Sequence, residues 1–350
     1  MACSTFPTEE EKSLGLFERY LTVWIAICIV AGLLLGRFLP QFGRYVGSLK
    51  YGQLSIPIGI LLFLMMYPTV VGVSFSDVKK ATKFPRPMII TIVANWVIAP
   101  PLMALYANVF LRGSPQFIAG AILLGISPCT AMVMWWIKLA KGDLGQGLVN
   151  TAINALLMVA LYGAEAAFYL GVSSIPVPWD LIALSVVFFI AVPVTLAGAT
   201  RRILIPRKGV EWFQGSFKPT LSKISIVALL TTLIVLFSLE GEIIIRQPLT
   251  VALIAVPLLA HYATMIAITY GATWYANLDY RAAAPSVLIG SSSHFEVAIA
   301  VAITLFGIES GAALATVIGP LMEVPLMLSL VRLLWGTRGR FPRKRAEIVT

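Results

Sequence analysis

Gly125-Ile-Ser-Pro-Cys-Thr-Ala131 sits in the middle of an apolar run from residue 117 to residue 136. Pro128 has no amide hydrogen, so it cannot bond the carbonyl of Leu124, and its ring crowds that same turn. Gly125 and Ser127 loosen the backbone on the same side, and Cys129 and Thr130 follow directly. Inside a bilayer, freed carbonyls are tolerated only where protein or a water-filled cavity satisfies them. Two readings are open. One is a proline kink beside a buried structural cysteine. The other is a helix broken at mid-membrane with a thiol at the break, a form that transporter binding sites take.

A second copy favours the broken helix. Ile122-Leu-Leu-Gly-Ile-Ser127 recurs 165 residues later as Val287-Leu-Ile-Gly-Ser-Ser292. At the same offset, Thr151-Ala-Ile-Asn-Ala-Leu-Leu-Met-Val159 recurs as Thr316-Val-Ile-Gly-Pro-Leu-Met-Glu-Val324. Two matches at one offset indicate a duplication, in which Cys129 has His294 as its mate. The second break contains no proline, so Gly290 and Ser291-Ser-Ser293 must open the helix. They do so through backbone freedom and hydroxyls that compete for carbonyls.

The 350 residues are 59% hydrophobic and 12% charged, with a mean hydropathy of +0.89, so the chain is an all-α polytopic membrane protein. Cys3, Cys28 and Cys129 form no CxxC or other metal-ligand spacing and no disulfide framework. The acidic run Glu9 to Glu11 is unlike the basic start of a cleaved signal peptide, and the first span is expected to stay. Spans of about 17–25 apolar residues are required to cross a bilayer. Ten are expected: 20–39, 56–75, 88–110, 117–137, 144–170, 181–199, 224–239, 249–275, 283–306 and 312–334. They divide into a tail (1–19), a first five-helix repeat (20–170), a second (171–334) and a basic tail (335–350). The segment 201–223, basic and interrupted by Pro206 and Pro219, reads as a connecting loop with Trp212 and Phe213 at the interface.

With the N-terminus inside, 21 Lys and Arg fall on inner segments and five on outer ones. The positive-inside rule then places both termini in the cytoplasm of a cell-membrane protein. The net charge of +10 is topological and calls for no nucleic acid. Five spans per repeat insert the halves in opposite orientations, which puts a substrate site between broken spans 4 and 9.

Glu296 lies two residues past His294 in an otherwise apolar run. A charged group at that depth costs at least about 2.5–3.5 kcal/mol, and by default marks a proton, ion or substrate path. Glu323, between Pro320 and Pro325, is a second candidate of that type, whereas Glu165 is expected near the outer face in water. Asn95 and Asn154 are supporting polar groups, equally suited to interhelical bonding. His261, in span 8, fits a bond to a neighbouring helix. No GxxxxGK[ST] loop, HExxH or Ser/His/Asp pattern occurs, so neither ATP hydrolysis within the chain nor an enzyme is indicated, and no cofactor is called for.

Met65-Met-Tyr-Pro68, Asn95-Trp-Val-Ile-Ala-Pro100, Ser127-Pro-Cys-Thr-Ala-Met-Val133, Lys141-Gly-Asp143 and Gly319-Pro-Leu-Met-Glu-Val-Pro325 resemble the arsenite efflux permeases. These belong to the bile acid, arsenite and riboflavin transporter superfamily. The resemblance covers nearly the whole chain. It implies ten spans in two inverted repeats, panel and core domains with crossed broken helices, and export of As(OH)3, sometimes antimonite, by proton antiport. The family's functional cysteine falls on Cys129 and its functional glutamate on Glu296. The chain departs from the family at Ser292-Ser-His-Phe-Glu296, where Ser-Asn-Phe-Phe-Glu is usual, and at Asn154-Ala155, where Asn-Asp is usual.

The expected partners are therefore a trivalent metalloid as substrate, protons and the lipid bilayer. Cys129 is the expected sulfur ligand, since a single thiol binds soft arsenic yet lets it leave. Ser127, Thr130, Ser292, Ser293 and His294 are expected around it, with Gly125, Pro128 and Gly290 breaking the helices. The alternative is sodium-coupled import of an organic anion held between facing helix ends.

Overall fold

The computed structural model describes residues 21–51, 54–72, 85–130 and 132–342, and these are mostly helical. The expected tail 1–19, Lys79, Lys80 and Lys83, Ala131, and the end of the basic tail from Arg343 lie outside the described residues. In order, the chain forms α1 (Leu21–Phe38), α2 (Pro40–Ser48), a two-residue hairpin of β1 (Lys50–Tyr51) and β2 (Leu54–Ser55), and α3 (Ile56–Val71). Next come α4 (Pro85–Phe110), α5 (Pro115–Gly125), α6 (Val133–Leu139), α7 (Leu144–Val172), α8 (Trp179–Lys208) and α9 (Val210–Arg246). The chain ends in α10 (Pro248–Tyr275), α11 (Tyr280–Gly290), α12 (Phe295–Phe306) and α13 (Gly311–Thr337).

Among the described residues, six helices are long and apolar enough to cross a bilayer: α4, α7, α8, α9, α10 and α13. The bent pair α1–α2 makes a seventh candidate. The rest of the expected set of ten falls on shorter pieces. Residues 117–137 are divided between α5 and α6, and residues 283–306 between α11 and α12.

Proline placement explains why several helices are not plain α-helix. Three π turns occur, at Ala94–Ile98, Val187–Ala191 and Phe213–Phe217. Each ends two residues before a proline, Pro100, Pro193 and Pro219 respectively. A proline ring collides with the carbonyl four residues back and offers it no hydrogen. One extra residue in the preceding turn moves that carbonyl aside and keeps the helix running.

That device overturns the connecting loop expected at 201–223. The segment is helical, running from the end of α8 into α9 with one interruption at Gly209, whose φ of +83° a residue with a side chain rarely adopts. Pro206 lies in the last turn of α8, and Pro219 follows its π turn inside α9. Phe213 is buried under the Arg201 guanidinium at 5.4 Å, and Lys208 Nζ lies 4.5 Å from the Trp212 ring centre.

Two packing groups result. In one, α9 lies against α1 and α3, and α8 against α3. Gly32 and Gly36, four residues apart on α1, let the α9 backbone approach. A methyl on Gly36 would stand 2.6 Å from the Ser238 carbonyl oxygen, and one on Gly32 would stand 2.8 Å from that of Ile234. Small residues at this spacing bring membrane helices into contact when no hydrophobic drive separates lipid from protein. In the other group, α5 packs between α4, α12 and α13, and α10 packs on α4, α11 and α13. Every residue of α11 from Ala283 to Gly290 and of α12 from Phe295 to Thr304 is buried.

Candidate functional site

Both sequence-predicted breaks are present, and they meet. The helix stops at Gly125 and resumes at Val133, and its counterpart stops at Gly290 and resumes at Phe295. Between them Pro128 and Ser293 form an antiparallel bridge. His294 N donates to the Ser127 carbonyl at 2.6 Å, and Cys129 N donates to the Ser292 carbonyl at 3.4 Å. Pro128 occupies the bridge position that donates nothing, so its missing hydrogen leaves no acceptor unpaired. Pro128 and Ser293 are themselves 165 residues apart, and the same offset carries one bridging bond onto the other.

The remaining backbone of the breaks is held from neighbouring helices. Glu323 on α13 accepts from Ser293 N through Oε1 and from the Tyr262 hydroxyl through Oε2, both at 3.2 Å. Ser291 and Thr269 on α10 share a hydroxyl bond of 2.9 Å. Ser127 and Ser292, the repeat mates, each bond back into their own helix, to the carbonyls of Leu123 at 2.9 Å and Ile289 at 3.5 Å. Gly125 and Gly290 are close-approach positions: Met103 fills the space where a Gly125 side chain would start, and Thr269 Cγ2 lies 2.7 Å from a methyl built on Gly290.

Within this closed shell several polar atoms have no hydrogen-bond partner. They include Thr130 Oγ1, both ring nitrogens of His294, Glu296 Oε1, Asn95 Nδ2 and Asn154 Nδ2. His294 Nδ1 lies 2.9 Å from Glu296 Oε2. The ring is turned so that this is a close contact rather than an aligned hydrogen bond. Cys129 is 2% exposed, with its sulfur at the Met132 and Val133 amides and within electrostatic reach of Glu323 and Glu296. Burying so many unpaired polar atoms is unusual in a native core and identifies a place where a small polar solute could bond.

The other expected residues separate by environment. Asn154 accepts from Trp96 Nε1 at 3.0 Å, and Asn95 lies in the π turn of α4 beside Ala94, which faces Gly290. His261 is buried on α10 with Nδ1 unpartnered. Glu165 is half-buried, with its Oε2 enclosed and unpartnered. A residue the sequence reading passed over, Glu240 on α9, is also buried with Oε2 unpartnered. Tyr262 and Thr269, which hold the second break, were equally unforeseen. Their signal was a hydroxyl on a largely apolar helix.

A cleft of about 510 Å³ separates the two packing groups at one end of the molecule. Met65 and Pro68 of α3 and Lys218 of α9 line one wall, and Met132, Trp135 and Lys138 line the other. Met132 is three residues from Cys129, so the cleft ends beside the break.

The profile of the sodium bile acid symporter family matches residues 59–247. The chain is 45% identical over 350 residues to an uncharacterized transporter of Synechocystis sp., covering 95% of this chain and 91% of that protein. It is 42% identical over 348 residues to the arsenical-resistance protein Acr3 of Alkaliphilus metalliredigens, covering 97% and 98% respectively. Against the Acr3 of Corynebacterium glutamicum the identity is 34% over 354 residues, covering 98% and 95%. With apolar helices of spanning length and relatives of this kind, the chain is a multi-pass membrane transporter belonging to the arsenite efflux permease family, within the sodium bile acid symporter family.

Proposed function

We propose that the chain exports trivalent metalloid, as arsenite and related As(III) or antimony(III) species, from the cytoplasm by proton antiport. The observation that carries this is the thiol of Cys129 at a bridged double helix break, surrounded by buried polar atoms that lack partners. A neutral trihydroxide offers donors and acceptors to Thr130, His294 and the serines of the breaks, and a soft centre to the one sulfur. The arsenical-resistance names of two relatives support the same substrate class. Proton coupling falls to Glu296, whose Oε1 is unengaged, while both oxygens of Glu323 are taken up in bracing the second break.

The architecture we infer is ten spans in two inverted five-helix repeats, with both termini cytoplasmic. Support comes from the 165-residue offset that relates the bridged residues and exchanges their hydrogen bonds. The group of α1, α3, α8 and α9 is then the panel, the remaining helices form the core, and the cleft between them is the cytoplasmic entry. A second reading, sodium-coupled symport of an organic anion, draws on the name of the matching family and on Lys138 and Lys218 in the cleft.

The experiment that separates them is uptake by everted membrane vesicles. Proton-driven accumulation of arsenite, antimonite or methylated As(III) is the expected result. Accumulation of an organic anion that needs sodium and ignores the proton gradient would replace it with the second reading.

A further inference from the structure

His294 and Glu296 together carry more than either residue does alone. Both are buried, 0% and 2% exposed, and Nδ1 and Oε2 are 2.9 Å apart. Neither His294 nitrogen and not Oε1 of Glu296 has a hydrogen-bond partner. The two residues sit at the start of α12, with His294 at the N-cap and Glu296 in the first turn. His294 makes no side-chain capping bond, so its ring is not committed to the helix end. Cys129 on the other break and Glu323 on α13 lie within electrostatic reach of Glu296, and Tyr262 on α10 is bonded to Glu323. Each Glu323 oxygen already accepts one bond, from Ser293 N and from the Tyr262 hydroxyl, and Tyr162 donates to the Leu123 carbonyl at 3.4 Å. His294 and Glu296 are thus the facing groups with open hydrogen-bonding capacity.

We propose that His294 and Glu296 act as one proton-binding dyad, in which the exchanged proton is shared between Nδ1 and Oε2. With one proton on the pair, the dyad is neutral overall, either as imidazole and carboxylic acid or as imidazolium and carboxylate. That neutrality is what a dry site tolerates. With the proton gone, a single carboxylate remains, hydrogen-bonded by the imidazole N–H after a small ring rotation. Export then runs as an exchange: the dyad releases its proton to the cytoplasm as metalloid binds there, and takes one up from outside as metalloid leaves. Groups coupled this closely titrate as a pair rather than as two independent residues. This dyad rests on the antiport reading for its role, though its existence as a titrating pair can be tested without transport.

The test is an infrared pH titration of the purified full chain, with Glu296→Gln and His294→Phe as variants. The chain has two histidines, so the His294→Phe difference spectrum isolates one imidazole from His261. In the wild type, the Glu296 carboxyl band and the His294 imidazole bands should change in a common step. In each variant the surviving partner should titrate with its midpoint displaced by about one unit or more, the coupling expected of a true pair. His294→Asn, which keeps hydrogen bonding but cannot titrate, should displace the carboxyl midpoint as well, which separates the dyad from mere packing. Independent steps in the wild type, with the carboxyl midpoint unmoved in both His294 variants, would overturn the dyad. Arsenite uptake by everted vesicles distinguishes the two readings: proton-driven uptake with independent titrations rejects the dyad alone. A shared titration without any proton-driven arsenite uptake rejects the antiporter and leaves the dyad standing.

Discussion

Cys129, Glu296 and Glu323 sit within electrostatic reach of one another, yet the structure gives each a different load. Cys129→Ser replaces a soft sulfur with a hard oxygen of similar size, so arsenite uptake into everted vesicles should fall to background at unchanged expression. Wild-type uptake in that variant would remove the sulfur-ligand mechanism. The two glutamates should separate by assay. Glu323 accepts one backbone and one side-chain bond, and a buried hydrogen bond is worth about 0.5–1.5 kcal/mol net. Glu323→Gln can keep only part of that, and should lower the thermal midpoint of detergent-solubilised protein by several degrees. Glu296→Gln gives up only the contact of Oε2 with His294, so its midpoint should fall less than that of Glu323→Gln while proton-coupled uptake collapses. If Glu296→Gln proves the less stable of the two, these assignments are reversed.

Broken helices carry the site at the level of elements, because a continuous helix would leave no backbone free to pair across the core. The bridge between Pro128 and Ser293 makes a direct geometric prediction. A non-hydrogen-bonded antiparallel pair holds its Cα atoms about 4.5 Å apart, inside the range a disulfide spans. Pro128→Cys with Ser293→Cys, in a background lacking the three native cysteines, should cross-link on mild oxidation. A protease site placed at Gly209 then leaves the two halves joined on a non-reducing gel. Separation of the halves would show that the breaks do not meet in the membrane. The same scale explains the π turns: each absorbs a proline that would otherwise stop a helix, so these helices span where a propensity reading ends them.

For the molecule as a whole, two packing groups with a cleft between them give a frame in which one group can shift against the other. The seam between α1 and α9 is a place where such a frame has no slack. Gly36→Leu would push a side chain into the Ser238 carbonyl, and overpacking of this sort costs about 1–3 kcal/mol. Loss of monodisperse protein on size exclusion, with Gly171→Leu unaffected because nothing lies within 4 Å of that position, is the expected pattern. The proposed orientation rests on the distribution of Lys and Arg. Single cysteines replacing Arg338 and Gly209 should label from the cytoplasm, and one replacing Gly113 should label from outside, in a cysteine-free chain. Labelling of Arg338→Cys from the outer face would invert the topology and with it the direction of transport.

The sequence by itself determined the membrane class, the 165-residue recurrence and the residues of both breaks. These depend on composition, on a 165-residue offset and on the local chemistry of Gly125, Pro128 and Gly290, all of which are written along the chain. That the two breaks face each other was expected from the recurrence, but the antiparallel bridge that joins Pro128 to Ser293 was not, because which backbone groups pair across a core depends on tertiary packing. Glu323 illustrates the limit: by sequence it stands between two prolines like any intramembrane carboxylate, and only its contacts with Ser293 and Tyr262 show that it holds the second break. Pro206 and Pro219 misled in the opposite sense, because a proline reads as a stop until packing and a π turn carry the helix past it. Local chemistry is decided by neighbours in the chain. Tertiary structure decided which buried polar atoms found partners and which, like those of His294 and Glu296, were left facing each other.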